Sequence, residues 1–482
     1  MNKSLLLYPL ILIGFGLGMY LAVERGSTLE FPPSTLHAPT TVPPAMQPSS
    51  GVGPSASLLA NLRQNFEDPL TRLFVQLILI VLAARVCGGL MRKAGQPAVV
   101  GEMIAGILLG PSLAGWLWPG FFQLVFPPGS LGTLRMLSQI GVCLFMFVIG
   151  MELDVAQLKL QARTAVLVSQ VSILFPYLLG VLAALWLYPS LAASGTTFLA
   201  FALFIGISMS ITAFPVLARI LDERGLTRTA LGSTALACAA TDDVTAWTVL
   251  AFVVAIAKAG GLAPAVLSIV LVVLFVALML LWVKPRLPRW LGPAALESGV
   301  PSKGVTAGAV VFLFTCALIT DVIGIHALFG SFLAGIAMPS QGELRKSLRV
   351  RLEHFSSVFL LPLFFAFTGL RTQIGLLQEP SGWLICLALI AIATTGKLGG
   401  SMLASRMTGI NWVDSFALGA LLNTRGLVEL IALNIGYDLG ILSPRIFTML
   451  VLTALVTTGM TGPLLSLSDY LRARYALRAK LI

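Results

Sequence analysis

The sequence predicts an all-α, polytopic membrane protein, and three observations carry that prediction. Of its 482 residues only 31 are Lys or Arg and 20 Asp or Glu, 11% charged in all, where a soluble domain carries about 25%. Hydrophobic residues make up 57% and mean hydropathy is +0.93, too apolar for one water-facing core and too continuous for a disordered chain. From Asp68 onward, apolar runs long enough to cross a hydrocarbon core of ~30 Å recur with short loops between them. An ordinary soluble enzyme is excluded.

In chain order, Leu5 to Val23 form an apolar run of borderline length behind Lys3, so residues 1–25 read as a signal peptide or a signal anchor. The uncharged, Pro/Ser/Thr-rich stretch from Pro32 to Pro54 makes residues 26–67 a flexible external linker. Residues 68–470 then hold 13 apolar runs, at 70–92, 97–116, 130–151, 164–188, 197–221, 230–258, 264–284, 304–323, 325–339, 353–373, 381–406, 411–436 and 445–468. Residues 471–482 read as a basic tail. The five cysteines, Cys87, Cys143, Cys238, Cys316 and Cys386, all fall inside apolar runs at spacings that fit neither a zinc site nor a disulfide framework.

Lys and Arg test this count, because cytoplasmic loops are enriched in them. With the linker outside, about two thirds of the 31 fall inside, among them Arg92, Arg219, Arg224, Lys284, Arg289 and Arg472. Arg135, Lys258, Arg371 and Arg445 fall outside. A 13-span chain with a cytoplasmic C-terminus satisfies the rule. The net charge of +11 belongs to these loops, and no basic helix or zinc finger accompanies it to suggest nucleic acid.

Gly-Glu-Met-Ile-Ala-Gly-Ile at 101–107 is echoed by Gly-Ser-Phe-Leu-Ala-Gly-Ile at 330–336, each soon followed by Pro-Ser. The two runs point in opposite directions through the membrane. A repeat of inverted polarity is a signature of secondary transporters with alternating access.

Ionisable groups at mid-membrane are costly and mark function. Asp242 and Asp243 lie together at the centre of the 230–258 run, in Ala239-Ala240-Thr241-Asp242-Asp243-Val244. Neighbouring helical residues do not face each other, so the pair should have different partners rather than share a proton. Lys397, in Thr395-Gly396-Lys397-Leu398-Gly399, is the counter-charge available to one of them, either as a purely structural pair or as part of the ion chemistry.

Two other runs carry helix-breaking signals at similar depth. In Ser208-Met209-Ser210-Ile211-Thr212-Ala213-Phe214-Pro215 the proline lacks a backbone donor, and hydroxyls stand ready for freed carbonyls. In Asn423-Thr424-Arg425-Gly426-Leu427-Val428-Glu429 a glycine sits beside a charge. Broken helices of opposite polarity meeting here would present oxygen ligands for a monovalent cation around Asp243. The cation- and proton-binding set is therefore expected to be Asp243, Asp242, Thr212 and Thr241, with Ser210, Thr212, Pro215, Thr424, Arg425 and Gly426 in the unwound segments. Arg425 can pair with Glu429 within its helix or with Glu102. Asp321 and His326 read as loop-side hydrogen-bonding residues, and His37 and His354 as ordinary linker and loop residues.

These motifs resemble the monovalent cation:proton antiporters of the sodium/hydrogen exchanger fold, in the branch of plant cation/proton exchangers and bacterial potassium-efflux-type antiporters. The resemblance covers residues 70–470. It rests on QPAVVGEMIAGILLGPS (96–112), FMFVIGMELD (145–154), Ser210 to Leu226, DDVTAW (242–247), LPLFFAFTGLRT (361–372), Lys397 and NTRGLVELIALNIG (423–436). It implies an inverted-repeat antiporter fold with two crossed, unwound helices, in which a six-helix core domain moves against a dimerisation domain, and hence a homodimer. It also implies that Asp243 binds the ion, that Asp242 partners Lys397, and that Thr212 and Thr424 belong to the two unwound segments. The potassium-efflux systems carry a cytoplasmic nucleotide-binding domain that has no counterpart in this sequence.

The implied activity is secondary exchange of Na+ or K+ for protons, without cofactor or nucleotide, in a bacterial inner membrane. A carboxylate away from water is stable with a proton or with a cation, and not with both. Competition becomes exchange if only the occupied site changes sides. The alternatives are an organic-anion symporter of the same inverted-repeat fold, which has no need of the Asp-Asp-Lys set, and an ion channel, for which no selectivity-filter loop is present. Three scattered histidines do not make a membrane enzyme.

Overall fold

The computed structural model describes residues 3–27, 68–152, 162–258, 262–292, 301–339 and 343–481. Residues 28–67 of the expected linker, with His37, lie outside the described residues. Among those described, the regular elements are helices, joined by one isolated bridge between Ala192 and Leu442.

The N-terminal run is α1 (Lys3–Gly26), which packs on a later span through an edge-on contact of Phe15 with Phe175, 6.2 Å between ring centres. α2 (Pro69–Lys93) starts at Asp68, whose carboxylate accepts from the Leu70 and Thr71 amides at 3.1 and 3.2 Å, with proline at its first position. Its Leu70, Phe74, Ile78, Leu82, Val86 and Leu90, four residues apart, are all more than half exposed. In water that stripe would be a large apolar patch; in lipid it is the solvated face.

α3 (Ala98–Leu109), α4 (Leu131–Glu152), α5 (Ala162–Leu191), the broken span α6 (Phe198–Ser210) and α7 (Phe214–Glu223), and α8 (Ala230–Lys258) complete a first set. A peripheral span, α9 (Leu262–Ala277) and α10 (Lys284–Leu291), joins it to a second set. That set comprises α11 (Lys303–Val322), α12 (Ala327–Ala337), α13 (Glu343–Phe355) running into α14 (Leu361–Arg371), α15 (Pro380–Thr394), α16 (Gly400–Met407), the broken span α17 (Trp412–Leu422) and α18 (Leu427–Asp438), and α19 (Pro444–Leu481). His354, expected in a loop, stands on α13. The basic stretch from 471 onward continues the helix α19.

Of the 13 expected crossings, 11 are, among the described residues, helices long and apolar enough to span, and the α17–α18 pair, bent by 44°, makes a twelfth. The run at 325–339 does not: α12 has 11 residues, about 16 Å at 1.5 Å per residue, half of a ~30 Å core. The reason is local. His326 caps its start and Met338-Pro339 ends it, so part of the apolar run is not helix.

The glycine echo is a packing device. A side chain on Gly101 of α3 would run into the Cys87 carbonyl of α2, and one on Gly330 of α12 into the Cys316 carbonyl of α11. Five residues on, Gly106 lies against the Ala366 and Phe365 backbone of α14, while Gly335 lies against Phe147 and Gly150 of α4. Gly369 and Gly150 return those contacts. Each half thus lends its second helix to the other half, which is the interlock that an inverted repeat builds.

The two broken spans cross at their breaks. Ile211 and Ala213 are extended, and the Ala213 amide donates to the Thr424 carbonyl at 3.0 Å. Gly426 is needed there, because a Cβ would stand 2.9 Å from Val216 Cγ2 and 3.3 Å from Ala213 Cβ.

Gly335→Ala should cost about 1–3 kcal/mol by overpacking and lower the melting temperature in detergent by several degrees. Gly308→Ala, with nothing within 4 Å of the new methyl, should leave it unchanged. Equal melting temperatures for the two variants would remove the interlock.

Candidate functional site

α8 runs unbroken through Asp242 and Asp243, and both are fully buried. Asp242 has four donors. Its Oδ1 accepts from Ser169 Oγ at 2.5 Å, and its Oδ2 from Thr212 Oγ1 at 2.6 Å, Lys397 Nζ at 3.1 Å and Ser172 Oγ at 3.3 Å. Three of these four bonds converge on Oδ2 and one on Oδ1. Lys397 is equally committed. Lying in a π-helical turn, Thr395–Gly399, between α15 and α16, it gives its three N–H groups to Asp242 and to the carbonyls of Ser172 at 3.0 Å and Ser210 at 2.5 Å. Thr212 has one proton to give, so its Asp242 bond and its 3.1 Å approach to the Leu422 carbonyl are alternatives.

Asp243 is the opposite case. Neither of its oxygens has a hydrogen-bond partner among the described residues. The Phe214 amide, first in α7, lies near it. An unpaired charge buried this way is expensive.

Arg425 and Lys397 together cap α6. Arg425 donates to the Ser208 carbonyl at 2.5 Å and the Met209 carbonyl at 2.6 Å, Lys397 to Ser210, and Arg425 is itself paired with Glu429 at 2.8 Å. Three consecutive carbonyls at the negative end of a helix are therefore each met by a cation. The hydroxyls expected to serve freed carbonyls do something else: Ser208 and Ser210 bond back to Phe204 and Gly206 of their own helix.

Other expected members stand apart. Thr241 bonds back to the Ala237 carbonyl of α8 at 2.9 Å, and Thr424 faces the Thr461 hydroxyl at 3.2 Å. Pro215 is the second residue of α7 rather than a kink within a helix. Glu102 does not reach Arg425; it lies on α3 among the charges of Arg85, Arg219 and Arg92. Two residues not singled out in the sequence join the site. Ser169 and Ser172, three apart in the Val-Ser-Gln-Val-Ser run of α5, form one face of hydroxyls that their spacing could have flagged. Asn423 is fully buried with neither amide atom partnered among the described residues.

The transmembrane sodium/hydrogen exchanger family matches residues 78–467. The chain belongs to that family. It is a monovalent cation/proton antiporter, a transporter and not an enzyme, of the branch that holds the plant cation/proton exchangers. It is 40% identical over 401 residues to the Na(+)/H(+) antiporter NhaS4 of Synechocystis, covering 82% of this chain and 97% of that one. It is 38% identical to cation/H(+) antiporter 17 of Arabidopsis thaliana and 33% to K(+)/H(+) antiporter 1 of Saccharomyces cerevisiae, over 83% and 87% of this chain. It spans about half the length of these last two, 48% of each. In fold it is similar to the sodium proton antiporter MjNhaP1 of Methanocaldococcus jannaschii, with a TM-score of 0.56 at 15% identity, over 85% of this chain and 97% of that one.

For this antiporter, Lys397→Gln should remove the counter-charge of a buried carboxylate and cost about 3–5 kcal/mol of stability. Adding Asp242→Asn should restore much of it. Thermal unfolding in detergent checks both, and an unchanged single variant would contradict the closed Asp242–Lys397 arrangement.

Proposed function

We propose that Asp243 is the site at which one monovalent cation and one proton compete, and that the Asp242–Lys397 pair holds the crossing of the broken helices around it. The observation that carries this reading is the contrast between neighbours: Asp242 has four donors and Asp243 has none among the described residues. A ligand at Asp243 would displace no existing bond.

The cation is Na+ or K+. Both are hard cations that accept carboxylate, amide and main-chain oxygens, and the relatives' names include both, Na(+)/H(+) for NhaS4 and K(+)/H(+) for the yeast protein. Loaded with a proton or with a cation the buried site is neutral, and either form can cross between inward- and outward-facing states. Empty, it carries an unpaired charge through an apolar interface, which is the state that must not cross. Coupling follows from that difference, and no nucleotide is required.

The protein works as a homodimer in a bacterial inner membrane, with its C-terminus in the cytoplasm. The Lys/Arg asymmetry supports that orientation. The lipid-facing stripes of α2 leave ample apolar surface for a second copy.

Asp243→Asn keeps the shape of the side chain and loses the ability to cycle between proton and cation. In proteoliposomes with a pH-sensitive dye, cation-driven proton flux should fall to background while the melting temperature stays within a few degrees of the parent. Near-normal flux would remove Asp243 from this role.

A further inference from the structure

Beyond Asp243, toward the side where the charge distribution puts the outside, two small cavities follow one another. The outer, of about 20 Å3, is lined by Asp438, Asn434 and Phe367 among others; the inner, of about 10 Å3, by Trp247, Ala251 and Phe329. His326 and Ile435 line both. A water molecule needs roughly 10–15 Å3 of such space, so each is close to the size of one water. Trp247 stands one helical turn from Asp243 on the same face of α8, with its ring 6.0 Å from that of Phe332.

The outer end is shut by charge. Asp438 of α18 meets Arg371 of α14 at 2.8 Å through Oδ1 and Arg135 of α4 at 3.0 Å through Oδ2. Arg371 also donates to Asn434 at 3.0 Å and lies 4.1 Å over the Phe367 ring. Asp438 and Asn434 belong to the broken spans, whereas Arg135 and Arg371 belong to the glycine-packed helices. Each of these bonds therefore ties one group of helices to the other. Lys258, ending α8, adds a 3.4 Å bond to the Ile325 carbonyl before α12.

We propose that this run of cavities is the outer half of the exchange pathway, with Asp438, Arg371 and Arg135 as its gate and Trp247 as the apolar seal above Asp243. The proposal rests on reading Asp243 as the binding site. The gate opens when the two guanidinium groups release the Asp438 carboxylate, which lets the groups of helices part and joins the water-sized cavities into one path. Asp438 then also offers an arriving monovalent cation its first carboxylate.

The test places a cysteine at Ala251, on the inner cavity, in protein whose half-buried Cys87 is replaced by serine; the other four cysteines are buried. A membrane-impermeant thiol reagent is added outside right-side-out vesicles. Labelling should be slow in that background and about tenfold faster once Asp438→Asn or Arg371→Gln removes the bridge, a change in open population equivalent to about 1.4 kcal/mol. Two variants attack the same bridge from opposite sides, so a folding defect in one leaves the other to decide. Unchanged labelling in a folded, membrane-inserted variant would overturn the gate. The labelling rate does not depend on what Asp243 binds, so persistent flux in Asp243→Asn would fail the site reading alone.

Discussion

A membrane core offers no water to a main-chain carbonyl whose helix stops halfway, and that constraint organises this transporter. α6 ends at Ser210 with the carbonyls of Ser208, Met209 and Ser210 past the reach of its own amides. Arg425 takes two of them and Lys397 the third. Each cation, once buried, needs a counter-charge, and Glu429 and Asp242 supply it. Two cations, two anions and these three carbonyls are thus bonded together, with one Glu429 oxygen left without a partner among the described residues. Asp243 stands outside that set, with neither oxygen partnered among the described residues.

From that bonding the division of labour in the Asp-Asp pair follows. Residues that hold the crossing together are bonded to one another, and none of those bonds uses Asp243. The hydroxyls of Ser169, Ser172 and Thr212 strengthen this by bonding Asp242, since hydrogen bonds to a charged acceptor are about twice as strong as neutral ones. Around the core, contacts between the halves are made by glycines packed backbone to backbone, Gly106 with Gly369 and Gly150 with Gly335. Asp242, Lys397 and Arg425 are hydrogen-bonded to the broken span of α6 and α7. Between the broken spans and the glycine-packed helices, the outer face is bridged by Asp438 and Asn434, and Lys258 of α8 adds a bond to Ile325.

Much of this was legible in the sequence because charge is so rare in it. Asp242, Asp243, Lys397 and Arg425 stood out against apolar runs, and the Pro215 and Gly426 breaks lay where the helices do break. Where the reading failed, the cause was hydrogen-bond choice or helix length. A serine in an apolar helix bonds its own i−4 carbonyl or a distant carboxylate with nothing in the residue type to say which; Ser208 and Ser210 took the first course, Ser169 and Ser172 the second. Thr241 likewise turned back on its own helix. Glu102 looked as available to Arg425 as Glu429 did, because contact between distant runs leaves no local trace. The run at 325–339 is apolar over a full span's length, yet capping by His326 and the stop at Pro339 leave only 11 helical residues.

The central claim is that cation and proton exclude each other at one carboxylate. Cation binding to the purified protein, measured by calorimetry or by displacement of radioactive sodium over a series of pH values, addresses it without any membrane gradient. If one proton leaves for each cation bound, the apparent dissociation constant on the acid side rises about tenfold for each unit of falling pH, because each decade of proton activity shifts the competition by 1.4 kcal/mol. An affinity that does not change with pH would contradict the account.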